Sequence, residues 1–153
     1  QTGLLYLFIE SDEITDNGVG LINAFSKLET LSLSGKQITD EGVRSLRTMT
    51  ELTELLLRKT RVTDASLQTI GRFRRLQALY LDGDAITDSA IGHFTELPQL
   101  TKLSLMAANI TDSSVPLIGS IRTLKQLNVK GTLITKKGIE KLRAELPGCE
   151  VEY

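Results

Sequence analysis

The dipeptide Thr-Asp returns along this chain at a constant spacing of 24 residues, and no other feature constrains the fold as strongly. It occurs at Thr15-Asp16, Thr39-Asp40, Thr63-Asp64, Thr87-Asp88 and Thr111-Asp112. The next interval leads to Thr135-Lys136, where the threonine is kept and the aspartate is replaced. So regular a spacing indicates a chain of repeated units that stack on one another, because a single short unit cannot bury its own apolar face.

Each unit shows two apolar periods in succession. Before the turn, apolar residues alternate with other residues, which predicts a strand. The alternating pairs are Leu7 and Ile9, Leu31 and Leu33, Leu55 and Leu57, Leu79 and Leu81, Leu103 and Leu105, and Leu127 and Val129, with Val151 and Tyr153 in the same columns at the end. After the threonine the apolar step becomes three residues, as in Ile91 and Phe94, which predicts a short helix.

These periods predict an α/β solenoid with one parallel sheet. The predicted strands centre on Leu7, Leu31, Leu55, Leu79, Leu103 and Leu127, and the predicted helices begin near Asp16, Asp40, Asp64, Asp88, Asp112 and Thr135. Neighbouring strands lie about 4.8 Å apart, whereas packed helices need about 8 to 10 Å between their axes. We therefore expect the sheet on the concave side of an arc and the helices on its convex side.

The motif Leu28-x-x-Leu31-x-Leu33 resembles the leucine-rich repeat, and the resemblance covers nearly the whole chain. The 24-residue unit with Ile-Thr-Asp looks like a bacterial form of that repeat and is similar to the cysteine-containing class of F-box partners. The resemblance implies a right-handed, horseshoe-shaped solenoid that binds other proteins. The asparagine usual at the turn is absent, as at Lys36 and Thr60, so we expect the Thr-Asp pair to satisfy part of the turn backbone.

Residues 1–153 are predicted to form a single leucine-rich-repeat domain of about six repeats and a terminal strand. Leu4 already occupies the last apolar column of a unit, so the pattern begins within a repeat. We therefore expect the chain to be a fragment of a longer protein at its N-terminal side.

The repeated aspartates have two interpretations. An aspartate before a helical run can accept a hydrogen bond from the first turn and stabilise the helix by about 1 kcal/mol, and Asp40 before Glu41-Gly42-Val43 fits this pattern. Alternatively, the column of carboxylates binds cations. The helix cap is favoured, because every repeat needs a cap and none needs an ion site.

The sequence offers few groups for catalysis or metal binding. His93 is the only histidine and Cys149 the only cysteine, and their columns are about two repeats apart, so we do not expect them to pair. The glycines fit turns and early helix positions and form no phosphate-binding motif. We therefore predict no enzyme activity, no cofactor and no metal site.

Charge and hydropathy argue against two classes of partner. The formal net charge is −1, and the basic residues form two small groups on different edges of the predicted solenoid, which does not suit nucleic acid. These groups are Arg58, Lys59 and Arg61, and Arg72, Arg74 and Arg75. No run approaches the roughly 20 apolar residues of a membrane span. Cys149 is the only cysteine, so cysteine-paired end caps are absent, which favours a soluble protein in the cytoplasm over the periplasm or the exterior.

The outward strand positions tile the concave face, and its centre carries a cluster suited to binding a protein or peptide. We predict that the partner-binding residues are Leu56, Arg58, Tyr80, Asp82 and Met106. Aromatic, methionine and arginine side chains in the middle of a face are typical of protein interfaces. The alternative is that Leu56 and Tyr80 only satisfy strand propensity, since single exposed apolar residues are common.

Tyr6 and Phe8, with Leu5, form a secondary apolar patch near the N-terminal end. The first predicted strand also has an unpaired edge, and such edges recruit other chains. We therefore expect this open end to self-associate or to be the most mobile part of the chain.

Two functions follow from these patterns. The first is an interaction module that binds a protein or peptide on the concave sheet face. The second is a spacer in a cell-envelope protein, built from the same repeats but without a discrete binding patch.

Overall fold

The computed structural model describes residues 3–83 and 85–153, which form one parallel seven-stranded sheet with the strands in sequence order. The strands are β1 (Tyr6–Glu10), β2 (Thr30–Ser34), β3 (Glu54–Arg58), β4 (Ala78–Leu81), β5 (Lys102–Ser104), β6 (Gln126–Asn128) and β7 (Glu150–Glu152). Equivalent residues of successive repeats lie side by side, as in Leu7 beside Leu31 and Leu31 beside Leu55. The predicted parallel register is therefore confirmed.

A helical segment follows each of the first six strands and begins where the sequence predicts. The α-helices are α1 (Asp16–Leu21), α2 (Asp40–Ser45), α3 (Leu67–Ile70), α4 (Val115–Ser120) and α5 (Lys136–Glu145). The 3₁₀ segments are Ile22–Ala24, Leu46–Thr48, Asp64–Ser66, Asp88–Glu96 and Asp112–Ser114. The 3₁₀ turn repeats every three residues, which matches the apolar step of Ile91 and Phe94.

The core is a set of ladders in which each apolar side chain packs against its equivalents in neighbouring repeats. Leu31, Leu55 and Leu79 are fully buried in the strand ladder. Val43 and Phe94 are fully buried on the helical side. Because each buried leucine contacts the repeats on both sides, truncating one to alanine removes about 2 to 5 kcal/mol of stability.

One carboxylate joins each repeat to the next. Asp16 accepts two hydrogen bonds from Thr39: the backbone N–H donates to Oδ1 at 2.8 Å and the hydroxyl donates to Oδ2 at 2.7 Å. The same pair of bonds joins Asp40 to Thr63, Asp64 to Thr87, Asp88 to Thr111 and Asp112 to Thr135. We call this arrangement the Thr–Asp clamp. It confirms that the Thr-Asp pair satisfies backbone groups where the usual asparagine is missing.

The prediction that the aspartates cap their own helices is wrong. The threonine is the N-cap: Thr39 Oγ1 accepts from the N–H of Glu41 at 3.2 Å, and Thr111 Oγ1 from that of Ser113 at 3.1 Å. The aspartate is the first helical residue, and its carboxylate is directed to the following repeat. A single threonine hydroxyl therefore caps its own helix as an acceptor and closes the clamp as a donor.

A small residue stands beside each clamp carboxylate, three positions after the receiving threonine. This column reads Gly42, Ser66, Ala90, Ser114 and Gly138. A Cβ atom on Gly42 would lie 2.5 Å from Oδ1 of Asp16, so a larger side chain would displace the carboxylate. The serines use the same space differently, since buried Ser66 donates to Asp40 and buried Ser114 donates to Asp88.

These donors stabilise the ionised carboxylates. Burial raises the pKa of Asp40, but the hydrogen bonds from Ser66 and Thr63 outweigh it and bring the pKa below its ordinary value. Asp88 follows the same pattern: burial raises its pKa, but the hydrogen bonds from Ser114 and Thr111 outweigh this effect and bring the pKa below its ordinary value. Within residues 3–83 and 85–153, no three acidic, histidine or cysteine side chains gather to hold a metal ion. The aspartate column therefore has a structural explanation that involves no cation.

Replacing a clamp aspartate should lower the free energy of unfolding by more than the loss of a helix cap, which is about 1 kcal/mol. We expect Asp40→Ala to lower the free energy of unfolding by about 2 kcal/mol, because it leaves the donors of Thr63 and Ser66 without their charged acceptor. Urea denaturation, monitored by circular dichroism, would measure this loss of stability. Asp12→Ala is the control, since Asp12 is exposed and makes only weaker contacts with the next repeat: an ion pair with Lys36 at 3.8 Å and a hydrogen bond from the Lys36 N–H at 3.3 Å. Equal losses in the two variants would contradict a special role for the clamp.

The clamp also predicts how stability depends on pH. The pKa of Asp88 is lowered by folding, so its contribution to stability is complete above the unfolded pKa of about 3.9 and is lost as the pH falls through the folded pKa. The difference in unfolding free energy between the unmodified chain and Asp88→Asn should therefore be largest near neutral pH and narrow below about pH 4. Denaturation curves at several pH values would test this, and a constant difference would be the contrary result.

Candidate functional site

The centre of the sheet face is formed by neighbouring side chains of β3 and β4. Leu56 and Tyr80 lie side by side in the strand register, and both are half-buried. They face away from the core, because successive strand residues point to opposite sides of a sheet. The adjacency predicted for this pair is confirmed, and each side chain is partly covered by its neighbours.

Four of the five predicted partner-binding residues line one shallow depression of about 220 Å³. They are Arg58, Tyr80, Asp82 and Met106. Leu56 is adjacent to Tyr80 but does not line the depression. A volume below about 300 Å³ with an open mouth suits a few inserted side chains better than an enclosed small molecule.

Ionic and hydrogen-bonded contacts fix one wall of this depression. Arg58 Nε lies 3.5 Å from Oδ2 of Asp82, and the hydroxyl of Ser104 donates to Oδ1 of the same carboxylate at 3.4 Å. Burial raises the pKa of the Tyr80 hydroxyl, and the charge of Glu54 raises it further, against a smaller opposing effect of Arg58. The hydroxyl therefore stays protonated at neutral pH and can both donate and accept a hydrogen bond.

Met106 reaches the depression from the turn after β5. Its side chain is 40% exposed, so its thioether is available to a partner. The next residue, Ala107, has a φ of 59°, a left-handed conformation that costs an alanine about 1 to 2 kcal/mol. The N–H of Ala107 donates to the carbonyl of Lys130 at 2.8 Å, which holds the turn against the following repeat.

The far wall of the depression belongs to residues that the sequence analysis did not select. They are Lys102, Gln126, Asn128, Glu150 and Glu152. Their signal was the strand register itself, since each falls on an outward column of β5, β6 or β7. All five are polar or charged, so the apolar residues that mark the centre of the face do not point to them.

The predicted secondary patch lies separately at the N-terminal end of the sheet face. Tyr6 is 58% exposed and Phe8 is 67% exposed. Phe8 lines another depression with Glu10 and Lys59, whose side chains form an ion pair at 3.0 Å. Arg58 lines both this depression and the one around Tyr80, so the two are neighbours on the sheet face but are lined mostly by different residues.

Comparison with known proteins agrees with this architecture. Residues 26–46 match the sequence profile of the Leucine Rich repeat family. This segment contains Leu28, Leu31, Leu33 and Ile38, and the same apolar positions recur in the following units. This segment is therefore a leucine-rich repeat, and the equivalent positions of the other units give the chain the leucine-rich-repeat fold.

Solved structures share the leucine-rich-repeat fold. An internalin from Listeria monocytogenes is 21% identical, with a TM-score of 0.74 over 96% of this chain and 39% of its own. A Bacteroides fragilis protein is 23% identical, with a TM-score of 0.62 over 83% of this chain and 43% of its own. Internalin C2 of L. monocytogenes is 22% identical, with a TM-score of 0.53 over 76% of this chain and 56% of its own. This chain thus spans less than two thirds of the length of each of these proteins. No curated protein sequence matches it.

The single histidine and the single cysteine lie in different parts of the described chain. Half-buried His93 lies in the 3₁₀ segment Asp88–Glu96, whereas Cys149 precedes β7. Burial raises the pKa of the Cys149 thiol, which the nearby Lys125 only partly offsets, so the thiol is a weak nucleophile at neutral pH. No helix in the described ranges has both the length and the apolar character to cross a membrane.

The outward position of these side chains predicts that their loss leaves the fold intact. Tyr80→Ala and Met106→Ala should each change the free energy of unfolding by less than about 1 kcal/mol, because partly exposed residues contribute little to the core. Leu79→Ala, one residue from Tyr80 but fully buried, should cost about 2 to 5 kcal/mol. Chemical denaturation of the three variants would test this contrast, and a core-sized loss in Tyr80→Ala would show that the ring is structural.

Proposed function

We propose that this chain binds a protein or peptide on its concave sheet face, at the depression around Tyr80 and Met106, and acts by binding and not by catalysis. The carrying observation is the convergence of an aromatic ring, a thioether and the Arg58–Asp82 ion pair in one accessible depression. Interfaces are enriched in such groups, and the aromatic ones contribute most of the affinity. Leucine-rich-repeat proteins are generally protein-interaction modules, and repeat solenoids present extended concave surfaces for binding.

The polar wall supports a polypeptide ligand. Lys102 and Glu150 are exposed and have no ion pair among the described residues, and Gln126 lies between them in the strand register. The amide side chains of Gln126 and Asn128 can each donate to and accept from a peptide backbone. The matching ligand is an extended segment with an apolar side chain at Tyr80 and Met106, an acidic group near Lys102 and a basic group near Glu150.

The competing function is a spacer, in which the repeats hold other parts of a cell-envelope protein apart and the sheet face is unused. Stacking requires only the inward apolar columns and the clamps. An aromatic ring and a thioether facing outward have no role in it. The two functions differ in whether substitutions in the depression change any binding.

Selection of peptides from a displayed random library against the immobilised chain tests the proposal. Fluorescence anisotropy with the selected peptides should show binding that weakens roughly 30-fold in Tyr80→Ala, the effect of losing an interface residue worth about 2 kcal/mol. Met106→Ala should weaken it by a smaller factor. The charge exchange of Lys102→Glu with Glu150→Lys should change which peptides are selected, since it reverses the charges along the wall.

The control is Leu117→Ala, which removes a 42% exposed apolar side chain from α4 on the convex side. Its affinity for the selected peptides should equal that of the unmodified chain. Peptides that bind Tyr80→Ala and Met106→Ala undiminished would place recognition elsewhere. Failure to enrich any peptide would favour the spacer.

A further inference from the structure

The depression beside Phe8 and the depression around Tyr80 lie on the two sides of strand β3. The first has a volume of about 320 Å³, and its lining includes Phe8, Ser32 and Arg58. Its walls are formed by β1 and β3 and its floor by β2, so all three strands lie within the described sheet. Of the described residues, Arg58 alone lines both depressions. The sheet face therefore has two recesses separated by a ridge.

The two recesses are built in the same way. In each, an aromatic ring stands beside a serine of the next strand: Phe8 is in register with Ser32, and Tyr80 is in register with Ser104. A serine side chain is much shorter than an aromatic ring, so it leaves space in which an inserted apolar side chain can contact the ring. Three repeats of 24 residues separate the two pairs.

The distance between the recesses selects the form of the ligand. Neighbouring strands lie about 4.8 Å apart, so the serines on β2 and β5 are about 14 Å apart. An extended peptide rises about 3.3 Å per residue and directs alternate side chains to the same side, which places residues i and i+4 about 13 Å apart on one side. An extended peptide that crosses the strands can therefore insert one side chain into each recess.

Arg58 provides a polar contact between the two recesses. Its side chain is 54% exposed, and its Nε lies 3.5 Å from Oδ2 of Asp82. The side chain of Asp82 is only 20% exposed, and it also accepts a hydrogen bond from Ser104. The guanidinium carries further N–H donors on its two terminal nitrogens. A carboxylate of the ligand can bind these donors while the ion pair with Asp82 is kept.

We propose that the ligand is an extended peptide that crosses the strands and inserts two apolar side chains, four residues apart, into the two recesses. An acidic residue midway between them faces the sheet and binds Arg58. The sequence pattern of the ligand is therefore apolar-x-acidic-x-apolar. This inference rests on the function proposed above and adds the second recess, the spacing of the anchors and the charge between them.

The peptides selected from the displayed library test this proposal, and they should share that pattern. Ser32→Tyr fills the recess beside Phe8, and Ser32 does not line the other recess. We expect it to weaken peptide binding roughly tenfold in fluorescence anisotropy, the effect of losing one apolar contact. Ser32→Ala leaves the recess open and is the matched control, with unchanged affinity. Phe8→Ala removes the ring from the same recess and should also weaken binding.

Substitutions in the peptide identify which recess each anchor occupies. Alanine at one anchor should remove the effect of Ser32→Tyr, and alanine at the other should remove the effect of Met106→Ala, because each pair of changes affects one contact. Changing the midway acid to its amide should weaken binding to the unmodified chain roughly threefold. The same change should have no effect on binding to Arg58→Gln, and an equal loss there would contradict the contact with Arg58.

The outcomes distinguish this inference from the proposed function. Binding that weakens in Tyr80→Ala but not in Ser32→Tyr or Phe8→Ala would overturn the two-anchor ligand and leave the proposed function standing. Two classes of peptide, each sensitive to substitutions in one recess alone, would overturn it as well. Undiminished binding in Tyr80→Ala would refute the proposed function at that depression, and the two-anchor ligand with it.

Discussion

The hydrogen bonds between one aspartate and the threonine of the next repeat organise much of this molecule. Each carboxylate accepts a backbone N–H and a hydroxyl across the junction, and in two repeats a buried serine hydroxyl as well. Three features depend on these contacts: the residue at which each helix begins, the small residue beside the carboxylate and the alignment of neighbouring repeats. Hydrophobic burial supplies most of the free energy of stacking, but it is not directional and tolerates sliding of one repeat over the next. A charged acceptor with two directed donors does not tolerate such sliding.

The clamp has a direction along the stack, because its donors and its acceptor belong to different repeats. Every internal repeat donates through its threonine to the repeat before it and accepts through its aspartate from the repeat after it. The last repeat ends this series because Lys136 replaces the aspartate. Its helix α5 is the longest α-helix in the described part of the chain, and Arg143 of that helix lies over the ring of Tyr153 at 4.8 Å.

The sequence was sufficient for the positions of strands and helices because the period of 24 residues repeats the same information several times. The same sequence predicted the wrong role for the aspartates, as caps of their own helices. Rules for helix capping consider donors two or three residues away, whereas the donors to Asp40 are 23 and 26 residues away and become neighbours only in the stack. Alternation placed Leu56 and Tyr80 on the sheet face, but it carries no information on the depth of that surface, and the structure places only Tyr80 of the two in the depression.

The division between inward and outward columns explains how such a chain can acquire a specific surface without losing its fold. Inward positions are limited to apolar residues that match their neighbours, and the clamp column is limited to aspartate and threonine. Outward positions carry no such constraint: Ser32, Leu56, Tyr80 and Ser104 are consecutive members of one column. Residues of five strands, from β3 to β7, line the depression, so its shape depends on the register between neighbouring repeats. A surface assembled in this way depends on the clamps for its geometry and on the outward side chains for its chemistry.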